Sequence, residues 1–171
     1  MVVQLKRLRI KVAIVSCVAV LGVTLAHAQQ RTLAMYGDWT VSCATTSGAK
    51  SCGLVQVQKT NGGATVSQVG IGRGTKTDSL KMSIETSANV WVPTGVKLFT
   101  SVGAPAITAQ FKWCISTRCL ADVDLSDADI KNLRAKKEAG QIAYKDAVQM
   151  DVSIAVSFNG FSEALNALQQ Q

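Results

Sequence analysis

The sequence predicts a mainly β fold, a β-sandwich with one or two short helices. One basis is strict period-two alternation: Val148, Met150, Val152, Ile154 and Val156 fall on one side and Gln149, Asp151, Ser153, Ala155 and Ser157 on the other. A second is the turn-forming clusters, such as Asn61-Gly62-Gly63, that recur about every ten residues. The third is the scarcity of helical segments between them, which leaves nothing to build a parallel crossover.

In chain order the expected strands are Trp39 to Cys43, Gly53 to Gln58, Thr65 to Ile71, Leu80 to Glu85, Val96 to Thr100, Ala106 to Phe111 and Val148 to Val156. The Leu80 strand sets Leu80, Met82 and Ile84 against Lys81, Ser83 and Glu85. A helix is expected from Asp127 to Ala139, capped by Ser126, with Asp127 and Asp129 at its positive end and Lys131, Arg134, Lys136 and Lys137 toward its negative end. Gly140 would stop it. A second helix near Phe161 to Leu168 places Phe161, Leu165 and Leu168 on one face, suited to sealing an end of the core.

Residues 1–28 read as a secretory signal peptide. Lys6, Arg7, Arg9 and Lys11 precede an apolar run from Val12 to Leu25, and Ala26-His27-Ala28 forms a small-x-small site with cleavage expected between Ala28 and Gln29. The run is shorter than the roughly 20 residues of a membrane-spanning helix. Cys17, preceded by Ile14-Val15-Ser16, offers a weaker lipoprotein reading, since the apolar run continues past it. Residues 29–171 then form a single domain with no further spanning segment. Processing removes four of the 18 basic residues and none of the 11 acidic ones, so the net charge falls from +7 to +3. No concentrated basic face with interleaved aromatics survives, which argues against nucleic acid as a partner.

The exported part keeps Cys43, Cys52, Cys114 and Cys119, an even set that reads as two disulfides in an oxidising compartment. Three pairings are open. Chain entropy favours the long-range ones, a loop of about 70 residues contributing roughly 4.4 kcal/mol against roughly 2.7 for one of about 10. Proximity favours Cys43 with Cys52 and Cys114 with Cys119, because each local pair brackets a turn and can staple a hairpin. Neither pair has the short CxxC spacing of common zinc sites.

The only histidine, His27, belongs to the leader, so the usual imidazole base is missing from the rest of the chain. The densest carboxylate group is Asp122, Asp124, Asp127 and Asp129, read as a polar turn running into a capped helix rather than as a metal or catalytic cluster. Gly70, Gly72 and Gly74 read as a turn after a strand, since no P-loop lysine and hydroxyl follow. Trp39, Trp91, Phe111 and Trp113 are assigned to the core rather than a ligand surface, Trp113 against the adjacent disulfide. Arg134, Lys136 and Lys137 suit a solvated helix face better than anionic lipid, although peripheral envelope association stays open. Catalytic residues, metal ligands and cofactors are expected to be none.

Five segments in order resemble the invasion-associated locus B family of bacterial envelope proteins. They are Tyr36-Gly37-Asp38-Trp39 running to Cys43, Cys52-Gly53-Leu54-Val55-Gln56, Val92-Pro93-Thr94-Gly95-Val96-Lys97-Leu98, Phe111-Lys112-Trp113-Cys114 to Cys119-Leu120-Ala121, and Ser157-Phe158-Asn159-Gly160-Phe161 before Ala164 and Leu165. The departure is Arg118, where glycine is expected. The resemblance implies an immunoglobulin-like β-sandwich, export to the periplasm or outer envelope of a Gram-negative bacterium, and in pathogens a part in entering host cells. It brings no catalytic residue. The functional expectation is a non-enzymatic envelope protein that binds a protein or cell-surface partner. The alternatives are a carboxylate-dependent envelope hydrolase and a periplasmic chaperone or inhibitor.

Overall fold

A computed structural model describes residues 29–74, 79–101 and 103–171. The expected leader and Ala28, on the near side of its cleavage point, lie outside the described residues. Ten strands are present: β1 (Gln29–Tyr36), β2 (Trp39–Thr46), β3 (Ala49–Lys59), β4 (Thr65–Arg73), β5 (Leu80–Ser87), β6 (Val96–Phe99), β7 (Ile107–Cys114), β8 (Arg118–Leu125), β9 (Gly140–Lys145) and β10 (Asp151–Val156). Two helices, α1 (Asp127–Arg134) and α2 (Phe161–Gln169), and a 3-10 turn at Val92–Thr94 complete the chain. All pairings are antiparallel, in the order β1-β2-β3-β4-β5-β8-β7-β6-β9-β10. The sheet curls until β10 returns to β3, so its two halves face each other across one core in the manner of a sandwich.

Alternation builds that core. Val41, Leu54, Ile71, Ile84, Ala121 and Ile142 are buried from six strands, while their sequence neighbours other than Ser42 and Gly70 are half-buried or exposed. α2 closes one end: Phe161, Ala164, Leu165 and Leu168 are buried, and the Phe161 ring meets Trp39 edge-on with centroids 5.1 Å apart. Its seat is the β1–β2 turn. Gly160 caps the helix at φ 78°, and a Cβ there would collide with the Tyr36 carbonyl. Gly37, at φ 53°, has room only for hydrogen because the Asn159 carbonyl would lie 2.6 Å from its Cβ.

Bonding here is dense. The Asp38 amide donates to the Asn159 carbonyl (3.1 Å), and the Ser157 hydroxyl donates to Asp38 Oδ2 (2.6 Å). The Ser157 carbonyl accepts from Trp39 Nε1 (3.0 Å) and Gln56 Nε2 (2.9 Å), and the Ser157 amide donates to Gln56 Oε1 (2.9 Å). A buried glutamine amide thus stands in for one residue of a neighbouring strand and fastens the curl. The first and last of the five sequence segments meet at this joint.

Several expectations are corrected. β8 and β9 were not anticipated, nor was β1. The segment around Asp122 and Asp124, expected as a polar turn, is strand β8, with Cys119, Ala121 and Leu125 buried between outward Leu120, Asp122 and Asp124. The last alternating segment begins as strand only at Asp151. Val148 and Met150, expected inside, sit in the β9–β10 hairpin at 76% and 65% exposure. There the Asp146 carboxylate accepts from the amides of Val148 and Met150, and Gln149 adopts φ 65°. Helix α1 stops at Arg134 rather than Ala139, because pairing of Phe99 with Gln141 draws the chain into β9. Gly140 opens that strand. Gly70 and Gly72 lie inside β4, paired with Val55 and Gly53, rather than in a turn beyond it.

Candidate functional site

The four cysteines are bonded locally, Cys43 to Cys52 and Cys114 to Cys119. Each bond joins directly opposed residues of one hairpin, β2–β3 and β7–β8, so each staples a register that the strands already share. None of the four is a free thiolate, so these four sulfurs are neither nucleophiles nor metal ligands in this state.

The acidic cluster is divided between two elements. Asp122, on the outer face of β8, receives Lys81 Nζ at 3.3 Å and Lys112 Nζ at 3.5 Å, and Asp124 lies 3.9 Å from Lys81. Asp129 completes a capping box: its carboxylate accepts from the Ser126 amide (3.0 Å) and hydroxyl (2.6 Å), while its own amide donates to Ser126 Oγ (3.1 Å). Ion pairing across a sheet face engages Asp122 and Asp124, and the helix cap engages Asp129. Among the described residues no group of three or more His, Cys, Asp or Glu side chains converges on a point. Arg134 clamps α1 to α2 through Asn166 Oδ1 (2.7 Å) and Gln169 Oε1 (2.9 Å).

Aromatic placement departs most from expectation. Trp39 is core, but Trp91 and Trp113 are 38% and 44% exposed. The cause in β7 is a bulge at Lys112: Phe111 pairs with Ala121 on the core face, and the extra residue turns Trp113 outward opposite Leu120. Simple alternation would have put both rings on one side.

This bulge contributes to an apolar end of the molecule. β7 and β9 flank β6 and both run antiparallel to it, so they point the same way and their hairpin tips share one end of the sheet. The 3-10 turn that precedes β6 lies between them, packed on β7 and β9, with the Trp91 amide donating to the Lys145 carbonyl (2.8 Å). Trp91, Val92, Trp113, Ile115, Val148 and Met150 are all exposed there. The same hairpins carry two ion pairs, Lys145 with Asp151 at 2.8 Å and Arg118 with Glu85 at 3.5 Å.

Comparison with known proteins places the chain. The family described as Invasion associated locus B (IalB) protein matches residues 39–169. The chain belongs to this family. Among solved structures it is similar to the crystal structure of invasion associated protein b from Bartonella henselae, with TM-score 0.70 and 21% identity over 80% of this chain and 94% of that one. No curated protein sequence matches the chain. At that identity the neighbour establishes the shared fold alone, whereas the family match covers both disulfide hairpins, the Lys112 bulge and the Gln56 joint of this IalB chain.

Proposed function

We propose that this IalB-family chain is an exported, non-enzymatic component of the bacterial envelope that binds a protein partner through the apolar end formed by the β7–β8 and β9–β10 tips. The observation that carries the reading is the placing of exposed Trp91, Val92, Trp113, Ile115, Val148 and Met150 at one end of the sheet. Large apolar side chains scattered singly need no explanation; six that share one end of the sheet, two of them tryptophans, have the composition of a recognition surface. Support for export comes from the leader-like first 28 residues and from two disulfides, which persist in oxidising compartments. The engagement of Asp122 and Asp129 by lysines and by a helix cap supports a non-enzymatic role. A part in host-cell invasion, as the family's name describes, belongs to the same proposal.

The test places a photo-crosslinking residue at Ile115 in the producing cells, alone and with Trp91→Ser and Trp113→Ser together. A single stoichiometric adduct that the double variant loses is the expected result. A ladder of unfolded clients would indicate a chaperone instead, and an unchanged adduct would remove the apolar end from the proposal. Amino-terminal sequencing of the envelope fraction is expected to begin at Gln29.

A further inference from the structure

We propose that β10 is a dimerisation edge, pairing antiparallel with β10 of a second copy about a two-fold axis at Ser153. The direction of its backbone groups follows from the hairpin. The Asp146 amide donates to the Met150 carbonyl, so Lys145 and Asp151 form the next, non-hydrogen-bonded pair, and the N–H and C=O of Asp151, Ser153 and Ala155 point away from β9. Ser157 has the same parity, and its outward amide and carbonyl are both taken by Gln56. That joint shows the outer edge bonding a peptide-like amide, and it ends where β10 ends.

The two edges of the sheet are protected differently. β1 carries Arg31 and a register shift between Thr32 and Ala34, both devices that deter strand addition. β10 pairs with β9 without a bulge and holds neither proline nor lysine; its one charge, Asp151, stands at the start. A regular six-residue edge without such devices is open to strand addition.

Charge and pattern favour a second copy as the cover. With Ser153 opposite Ser153 of the partner subunit, Asp151 lies opposite Ala155 rather than another Asp151. Each Asp151 approaches the end of a groove of about 660 Å³ that Ala155, Ser157 and Lys59 help to line. Lys59 takes part in no ion pair among the described residues, so the approaching carboxylate meets a free cation. The half-buried Val152 would lie opposite the partner subunit's Ile154, continuing the apolar face across the axis.

The experiment uses the chain expressed with its own leader and purified oxidised. Directly opposed hydrogen-bonded residues have Cα atoms about 5.5 Å apart, within the roughly 4.4–6.8 Å that a disulfide bridges. Ser153→Cys is therefore expected to form an intermolecular disulfide roughly tenfold faster than Ser87→Cys, an exposed control on β5. Sedimentation equilibrium is expected to show a concentration-dependent dimer that Ala155→Pro abolishes, since proline removes the outward N–H and leaves the β9 ladder intact. Ser153→Lys, which sets two ammonium groups face to face, gives the same readout should the proline variant not fold. A chain that stays monomeric at every concentration, with Ser153→Cys no faster than the control, would overturn the proposal; so would a dimer that both substitutions leave unchanged. The apolar end described above plays no part in these readouts.

Discussion

Gln56 shows how much of this fold one side chain can hold. Its amide donates to the Ser157 carbonyl, accepts from the Ser157 amide, and accepts again from Gln58 Nε2 at 2.9 Å, all with Gln56 only 6% exposed. Gln56→Ala would take their partner from the Ser157 amide and Gln58 Nε2, while the Ser157 carbonyl keeps Trp39 Nε1, at a cost of about 1–3 kcal/mol. Gln56→Glu tests the donor separately, because a carboxylate can still accept from Ser157 N but cannot donate to its carbonyl. Both are expected to lower the urea midpoint, with Glu the milder if the amide acceptor dominates. A second residue-scale prediction concerns Gly160. Its φ of 78° and the Tyr36 carbonyl behind it leave no place for a Cβ, so Gly160→Ala is expected to cost at least about 1–3 kcal/mol, read as a fall in Tm. Nothing local in the sequence marks Gln56, since its partner lies 101 residues away.

Elements were legible where a local rule governs them and hidden where pairing overrides it. Ser126 and Asp129 announce the start of α1, and the structure forms that capping box; Ser126→Ala is expected to cost about 1 kcal/mol of unfolding free energy. The end of α1 was not legible. Lys136 and Lys137 fit a helix C-terminus by charge, but β9 must begin in time to pair with β6, a demand that comes from elsewhere in the chain. β8 does carry a two-residue period, Cys119, Ala121, Val123 and Leu125, masked by small Ala121 on one face and two aspartates on the other. Trp113 was misplaced because a bulge has no periodic signature. The local cysteine pairing was favoured by proximity, and the short loop it closes sets its worth. Replacing Cys114 and Cys119 with serine together is expected to cost roughly 2 kcal/mol while leaving the far-UV spectrum unchanged, because the β7–β8 register survives on its own ladder.

For the whole molecule, the order of strands predicts an order of stability. β3, β4, β5 and β8 each have a partner on both sides and carry Leu54, Ile71, Ile84 and Ala121 into the core, so their amides open only with global unfolding. β1 and β10 each have one ladder partner. The curl joins β10 to the rest through Ser157 and the α2 seat, and the outward amides of Ser153 and Ala155 lie on the side of β10 away from β9. Native-state hydrogen exchange on a dilute sample is therefore expected to give the largest protection at Ile71, Ile84 and Ala121 and little at Ser153 and Ala155. Raising the concentration should slow exchange at Asp151, Ser153 and Ala155 selectively, because pairing of two β10 edges buries these outward amides and leaves those of Val152 and Ile154, which face β9, as they were. Uniform protection across β10 at low concentration would mean that its outward groups already have a partner within one copy, and the edge would then be closed by the chain itself.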